Sequence, residues 1–183
     1  ETQMVASIDH TELFEKSKKF FESGDILNTL ENYEKAMERI DRSQIRNKSE
    51  YIQFLESILN HCRENNLPEE EALVLRALGR TYSIFKQYPE SMKYHYQSLK
   101  IQKRLGKKLD TAEGLVYLAE DMEVSGNFDK TIETFQEASE LFRELGKLRK
   151  VKEIIKEIAR IKEFSKEMVE DEYYMNKFHI DKY

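Results

Sequence analysis

The sequence predicts an all-α fold, an α-solenoid of antiparallel helical hairpins with about eight helices, and three observations predict it. First, a pattern of small and large residues recurs at a forty-residue offset. Ala72, Leu75, Leu78 and Gly79 stand where Ala112, Leu115, Leu118 and Ala119 recur, and Ile155, Ile158 and Ala159 resume the same spacing. Self-similarity at such a period marks stacked hairpins, each too small to bury its apolar face alone. Second, apolar residues recur at helical spacing between short polar breaks, and no alternating run or Asn-Gly or Asp-Gly turn competes. Third, only two Pro and six Gly interrupt 183 residues.

The elements follow in order. A first helix is expected over about 9–23, with Asp9 as N-cap, Glu12 in capping-box position and "SGD" at 23–25 as its stop. A second spans about 26–41, with Leu27, Leu30, Tyr33, Met37 and Ile40 at helical spacing. The polar run 41–49 reads as a connection. A third helix over about 49–65 places Ile52, Leu55, Ile58, Leu59 and Cys62 on one face and ends at "NNLP". Pro68 opens a fourth that runs to about Phe85, and Glu69, Glu70 and Glu71 complement its positive end. A fifth starts near Pro89 and stops at Gly106, with Lys100, Lys103 and Arg104 in its last turns. A sixth begins at Asp110 with Glu113 in capping-box position, and a seventh covers about 128–145 before Gly146. The eighth begins near Leu148 and continues past Phe164 to about Tyr174, and the final residues are expected to fray. Short connections make sequential helices antiparallel. One domain over 1–183 is expected, with an N-terminal helix at 9–25, repeats over 26–147, and a capping helix and tail at 148–183.

Composition narrows the function. Hydrophobic residues make up 39% and charged residues 36%, and ten Phe and ten Tyr supply a core. The net charge of −5 offers no positive field to nucleic acid. A lone Cys62 rules out an internal disulfide, no apolar run approaches the roughly 18 residues that cross a bilayer, and no signal-peptide pattern is visible. A cytoplasmic location without membrane contact is therefore expected. The chain opens on Glu1 rather than Met, consistent with a piece of a longer or processed protein.

Ala119, Met122, Gly126, Thr131, Phe135 and Ala138 have the spacing of small, large, turn and aromatic positions that resembles the tetratricopeptide repeat. Gly79, Tyr82, Ser91, His95 and Ser98 match less fully, because Lys86 holds the turn position usually given to Gly, and Ala159 starts a third match that lacks a second helix. The resemblance covers roughly 26–165, and its period is longer than the family's common 34. It is similar to the longer-repeat branch, which includes scaffold proteins and bacterial peptide receptors. Small residues at Gly79, Ala119, Ala138 and Ala159 would let neighbouring backbones approach while Tyr82, Met122 and Phe135 fill the space left. Residues 13–36 carry a second frame, through Ser17, Phe20, Gly24, Thr29, Tyr33 and Ala36. That frame makes the second helix the latter half of a hairpin, whereas the forty-residue register makes it a first helix and leaves helix 1 as a cap.

The resemblance implies a concave groove lined by the first helix of each repeat. Position then nominates Arg76 and Arg80 in the fourth helix, Glu120 and Glu123 in the sixth, and Lys156 and Arg160 in the eighth. Leu73, Ile84, Val116 and Tyr117 would add apolar contact. Such charges can grip a peptide, with Arg forking onto carboxylates; the alternative is a set of solvated helix faces. The Lys and Asn set by which chaperone-binding relatives clamp a C-terminal carboxylate is missing its Asn residues. Two basic clusters, Lys103, Arg104, Lys107 and Lys108, then Arg143, Lys147, Arg149 and Lys150, fit helix C-termini better than phosphate binding. His10, His61, His95 and His179 are scattered, so no metal site is expected, and His95 reads as packing. No Gly-rich phosphate loop, nucleophile elbow or paired catalytic carboxylate occurs. The expectation is a non-catalytic adaptor or scaffold, without cofactors, that binds a protein or peptide. The alternatives are a ligand-responsive sensor domain of a larger protein, or an oligomerisation module. The amphipathic tail, with Phe164, Met168, Val169, Tyr173, Tyr174 and Phe178, would cap the array or join two copies as a homodimer.

Overall fold

The computed structural model describes residues 9–45 and 47–177. Among them are eight α-helices: α1 (His10–Glu22), α2 (Ile26–Glu38), α3 (Lys48–Glu64), α4 (Pro68–Ile84), α5 (Tyr88–Arg104), α6 (Lys108–Val124), α7 (Phe128–Glu144) and α8 (Leu148–Lys177). A single 3-10 turn, Arg42–Gln44, lies between α2 and α3. The described residues contain no strand. The fray expected over 176–183 does not begin where expected, since Asn176 and Lys177 are the last residues of α8; Phe178 and the residues after it lie outside the described ones.

The joints explain the sequence period. Asn66, Lys86, Gly106, Gly126 and Gly146 all take positive φ and stand twenty residues apart. Each ends one helix and the next begins two residues later, so α3 to α7 each hold 17 residues. The forty-residue repeat is two such half-units. At Gly126 the chain makes a Schellman end: Gly126 N–H donates to Glu123 O at 2.9 Å and Asn127 N–H to Met122 O at 3.0 Å. The joint at Gly106, and not a capping box at Asp110, marks the start of the next helix. Helix α6 starts earlier, at Lys108, without a side-chain cap, and Asp110 sits in its first turn. Asp9 does cap α1, accepting from Glu12 N–H at 2.9 Å.

The chain forms two compact units, 1–105 and 106–183. In the first, α1 and α2 pair closely, and Ser17 Oγ–H donates to Thr29 O at 2.6 Å. Helices α4 and α5 pair in the same way, through Ser91 Oγ–H to Gly79 O and Ser98 Oγ–H to Ala72 O, both 2.6 Å. Helix α3 meets α1 through bulky rings: Phe14 lies 4.7 Å from Tyr51 and 5.3 Å from Phe54, centre to centre. Helix α2 meets α4 where the Tyr33 and Thr81 hydroxyls lie 2.7 Å apart. Thr81 Oγ–H donates to Ala77 O, so Tyr33 is the donor to Thr81. Thus α2 lies against both α1 and α4.

In the second unit, Leu115, Leu118, Ala119 and Met122 of α6 are buried, as are Phe135, Ala138 and Phe142 of α7 and Val151, Ile154 and Ile161 of α8. Phe128 meets Phe164 edge to face at 5.6 Å. Beyond Phe164 the helix continues with Met168, Val169, Tyr173 and Tyr174 exposed. Gly79, Ala119 and Ala138 are buried, while Ala159 is exposed, as is Ile155 beside it, on a face that no helix of the described residues covers.

Candidate functional site

The predicted groove residues fall into one row per unit. In the first unit, Leu73, Arg76 and Arg80 of α4 are half-buried, as is Ile84 at its end. They flank the residues that α4 gives to α5, Ala72 and Gly79. Arg80 Nη1 lies 3.5 Å from Glu34 Oε1 of α2, with about a quarter of its side chain exposed. The sequence reading had missed Glu34, because that contact depends on α2 and α4 lying side by side.

In the second unit, Val116, Tyr117 and Glu123 of α6 are half-buried, while Glu120 is exposed. Lys156 and Arg160 of α8 are also exposed. Arg160 reaches across to α6, with Nη2 2.7 Å from Glu123 Oε1, and also contacts Glu157 Oε2 at 2.7 Å. Two nominated positions, 37 residues apart on helices separated by α7, are therefore brought together. Such half-exposed pairs contribute little stability, about 0–1 kcal/mol each. An incoming charged group can exchange with them at small cost, so they can set register and specificity more than affinity.

Burial, helped by Glu70 and Glu71, pushes the Cys62 thiol up to about 11, so it stays protonated and unreactive near neutrality. Among the described residues no group of three His, Cys, Asp or Glu could hold a metal ion. No helix of the described residues is long and apolar enough to cross a membrane.

His95 is almost fully buried beneath Gly79. Burial and then the charges of Arg80 and Arg76 push its pKa down to about 3. An unfolded chain binds that proton near 6.5, so between pH 6.5 and 3 it holds more protons than the folded one. Stability is expected to be complete above that window and to be lost as pH falls through it. The melting temperature of the wild type should drop more steeply than that of His95→Phe, which carries the ring found at Phe135. Parallel pH profiles for the two proteins would refute this assignment.

The helical fold is like that of a solved tetratricopeptide-repeat structure. No family model matches the chain, and no curated protein does. Solved structures do. The STAND ATPase with a tetratricopeptide-repeat sensor from Pyrococcus horikoshii matches with a TM-score of 0.58 and 18% identity, over 90% of this chain and 31% of that protein. The C-terminal TPR-containing domain of an FK506-binding protein from Plasmodium falciparum matches with a TM-score of 0.41 and 15% identity, over 85% of this chain and 91% of that one. BtubC from P. vanneervenii gives 0.44 and 14%, over 85% and 80%. The chain thus spans about a third of the length of the first of these proteins.

Proposed function

We propose that this chain is a protein-interaction module that holds a peptide or protein segment against the first helices of its repeats, without catalysis. In one unit Leu73, Arg76 and Arg80 would offer such a surface, and in the other Val116, Tyr117, Glu120, Glu123, Lys156 and Arg160 would. The observation that carries this reading is the Glu123–Arg160 pair at 2.7 Å, which puts two nominated positions on one shared face. Partly exposed apolar side chains beside exchangeable ion pairs are what an extended or helical segment needs for burial and register.

Charge reversal tests the reading. Arg76→Glu with Arg80→Glu is expected to abolish capture of partners from the native lysate, identified by mass spectrometry, and to leave the helical circular dichroism intact. Capture that survives the double change removes the first unit from the assignment. A cytoplasmic setting belongs to the same proposal.

A second reading makes the repeats the ligand-responsive part of a longer protein. It draws on the P. horikoshii neighbour, whose repeats are described as a sensor within a much longer chain. A captured ligand that alters the activity of a longer parent, and not merely the stability of this chain, would favour it.

A further inference from the structure

A cavity of about 330 Å³ opens at one rim of the first unit, between the connection from α2 to α3 and the joint from α4 to α5. Its apolar wall is Ile45, Ile84 and Phe85, and three cations surround it, Arg42, Lys48 and Lys86. Among the described residues no acidic side chain lines it. The Lys48 ammonium stands 5.4 Å from the centre of the Phe85 ring, so a positive charge already lies over the apolar surface. The adjacent acid, Asp41, accepts from Ser43 N–H at 3.0 Å and from Ser43 Oγ–H at 2.7 Å, which ties its Oδ1 to a residue of the cavity wall. Three cations about one hollow run against the net charge of −5.

Lys86 is the informative residue. It holds φ +58°, where the matching joints Gly24 and Gly126 hold glycine at +81°. A side chain in that conformation is strained, and glycine would relieve it. The joint does not need the side chain. Lys86 N–H donates to Ser83 O and Gln87 N–H to Tyr82 O, both at 2.9 Å, the same pattern as at Gly126. Asn66, one joint earlier, is also a non-glycine residue at positive φ, but what lysine adds over glycine at this joint is a positive charge on the cavity lining.

We propose that this cavity binds a carboxylate carried on a small apolar body. Arg42, Lys48 and Lys86 hold the charged end, and the apolar body lies on Ile45, Ile84 and Phe85. The volume sits near the lower end of small-molecule sites, about 300–1,000 Å³, which suits one aromatic ring or a short branched chain. Two sources offer this chemistry: a free organic acid and the C-terminal residue of a peptide. The site lies apart from the rows assigned above and does not rest on that reading.

The test uses the whole chain, with 4-phenylbutanoate as probe and its primary amide as the uncharged control. Saturable shifts of the Ile45 and Phe85 amide resonances are expected with the acid, and binding of the amide should be about tenfold weaker or less detectable still. Lys86→Gly should weaken binding of the acid by a similar factor while raising the melting temperature by about 2–4 °C, since the strain is gone. A variant that is more stable yet binds less cannot have lost binding by unfolding. Lys48→Gln should weaken it as well. Short peptides ending in Phe, with free or amidated carboxyl groups, separate the sources. Tighter binding of the free-carboxyl peptide than of the small acid identifies a chain end, and the reverse order identifies a free acid. Absence of saturable shifts from every carboxylate probe, equal binding of acid and amide, or undiminished binding by Lys86→Gly overturns the proposal.

Discussion

Truncating Phe14 to alanine is expected to cost about 3–5 kcal/mol, the usual range for a buried phenylalanine. The ring is 4% exposed and is the hub of the aromatic cluster that joins α1 to α3. It lies 4.7 Å from Tyr51, 5.3 Å from Phe54 and 6.1 Å from Tyr33, and Lys18 Nζ sits 4.4 Å above it. Alanine removes all four contacts and leaves a cavity that helices tied at their joints cannot close. Against a total stability of about 5–15 kcal/mol, that loss approaches unfolding of the first unit. Phe14→Leu keeps much of the volume and should fall between the two. Urea denaturation of the three proteins measures this. A cost below about 1 kcal/mol for alanine would mean that these rings do not form a packed interior.

The second large effect is expected at Gly79. In an open helix, Gly→Ala stabilises by up to about 1 kcal/mol. Here an added Cβ would stand 2.7 Å from His95 Cε1 and 2.8 Å from both ring nitrogens. The ring is 1% exposed and cannot swing into solvent. Overpacking at such a site costs about 1–3 kcal/mol, so the propensity gain is outweighed and Gly79→Ala should destabilise. A double-mutant cycle gives the decisive reading. In a His95→Ala background the same change meets no ring and should become neutral or stabilising. A destabilisation of equal size in both backgrounds would place the conflict somewhere other than His95.

Much of this fold is legible in the sequence because local chemistry and tertiary placement agree. Asp9 caps where its spacing to Glu12 says it should, Pro68 opens α4, and Gly106 and Gly146 close their helices. The nomination of His95 as a packing residue also follows from position alone, since it stands where Phe135 stands one repeat later. The failures have physical causes. Asp110 and Glu113 have the spacing of a capping box, yet the joint at Gly106, and not that box, marks the start of α6. Ala159 keeps a small residue on an exposed face, and one sequence position cannot report which neighbour would meet it. Helix α8 outruns its expected end because charged and aromatic residues continue without a breaker as far as Lys177. Within the candidate site, the first-helix positions can be read from the period, whereas Glu34 beside Arg80 cannot. That pair depends on which helices lie next to each other, a long-range outcome that periodicity does not encode.

The five equally spaced left-handed residues have a practical consequence for anyone editing this protein. Each junction presents the same backbone conformation at the cut, so a block excised after one can be spliced in after another with compatible ends. A graft of forty residues restores the original chain direction. A graft of twenty sends everything downstream the opposite way. A single inserted residue within a helix turns the rest of that helix by about 100° and brings its outward side chains inward. Length changes should therefore be tolerated in whole blocks and resisted in ones and twos.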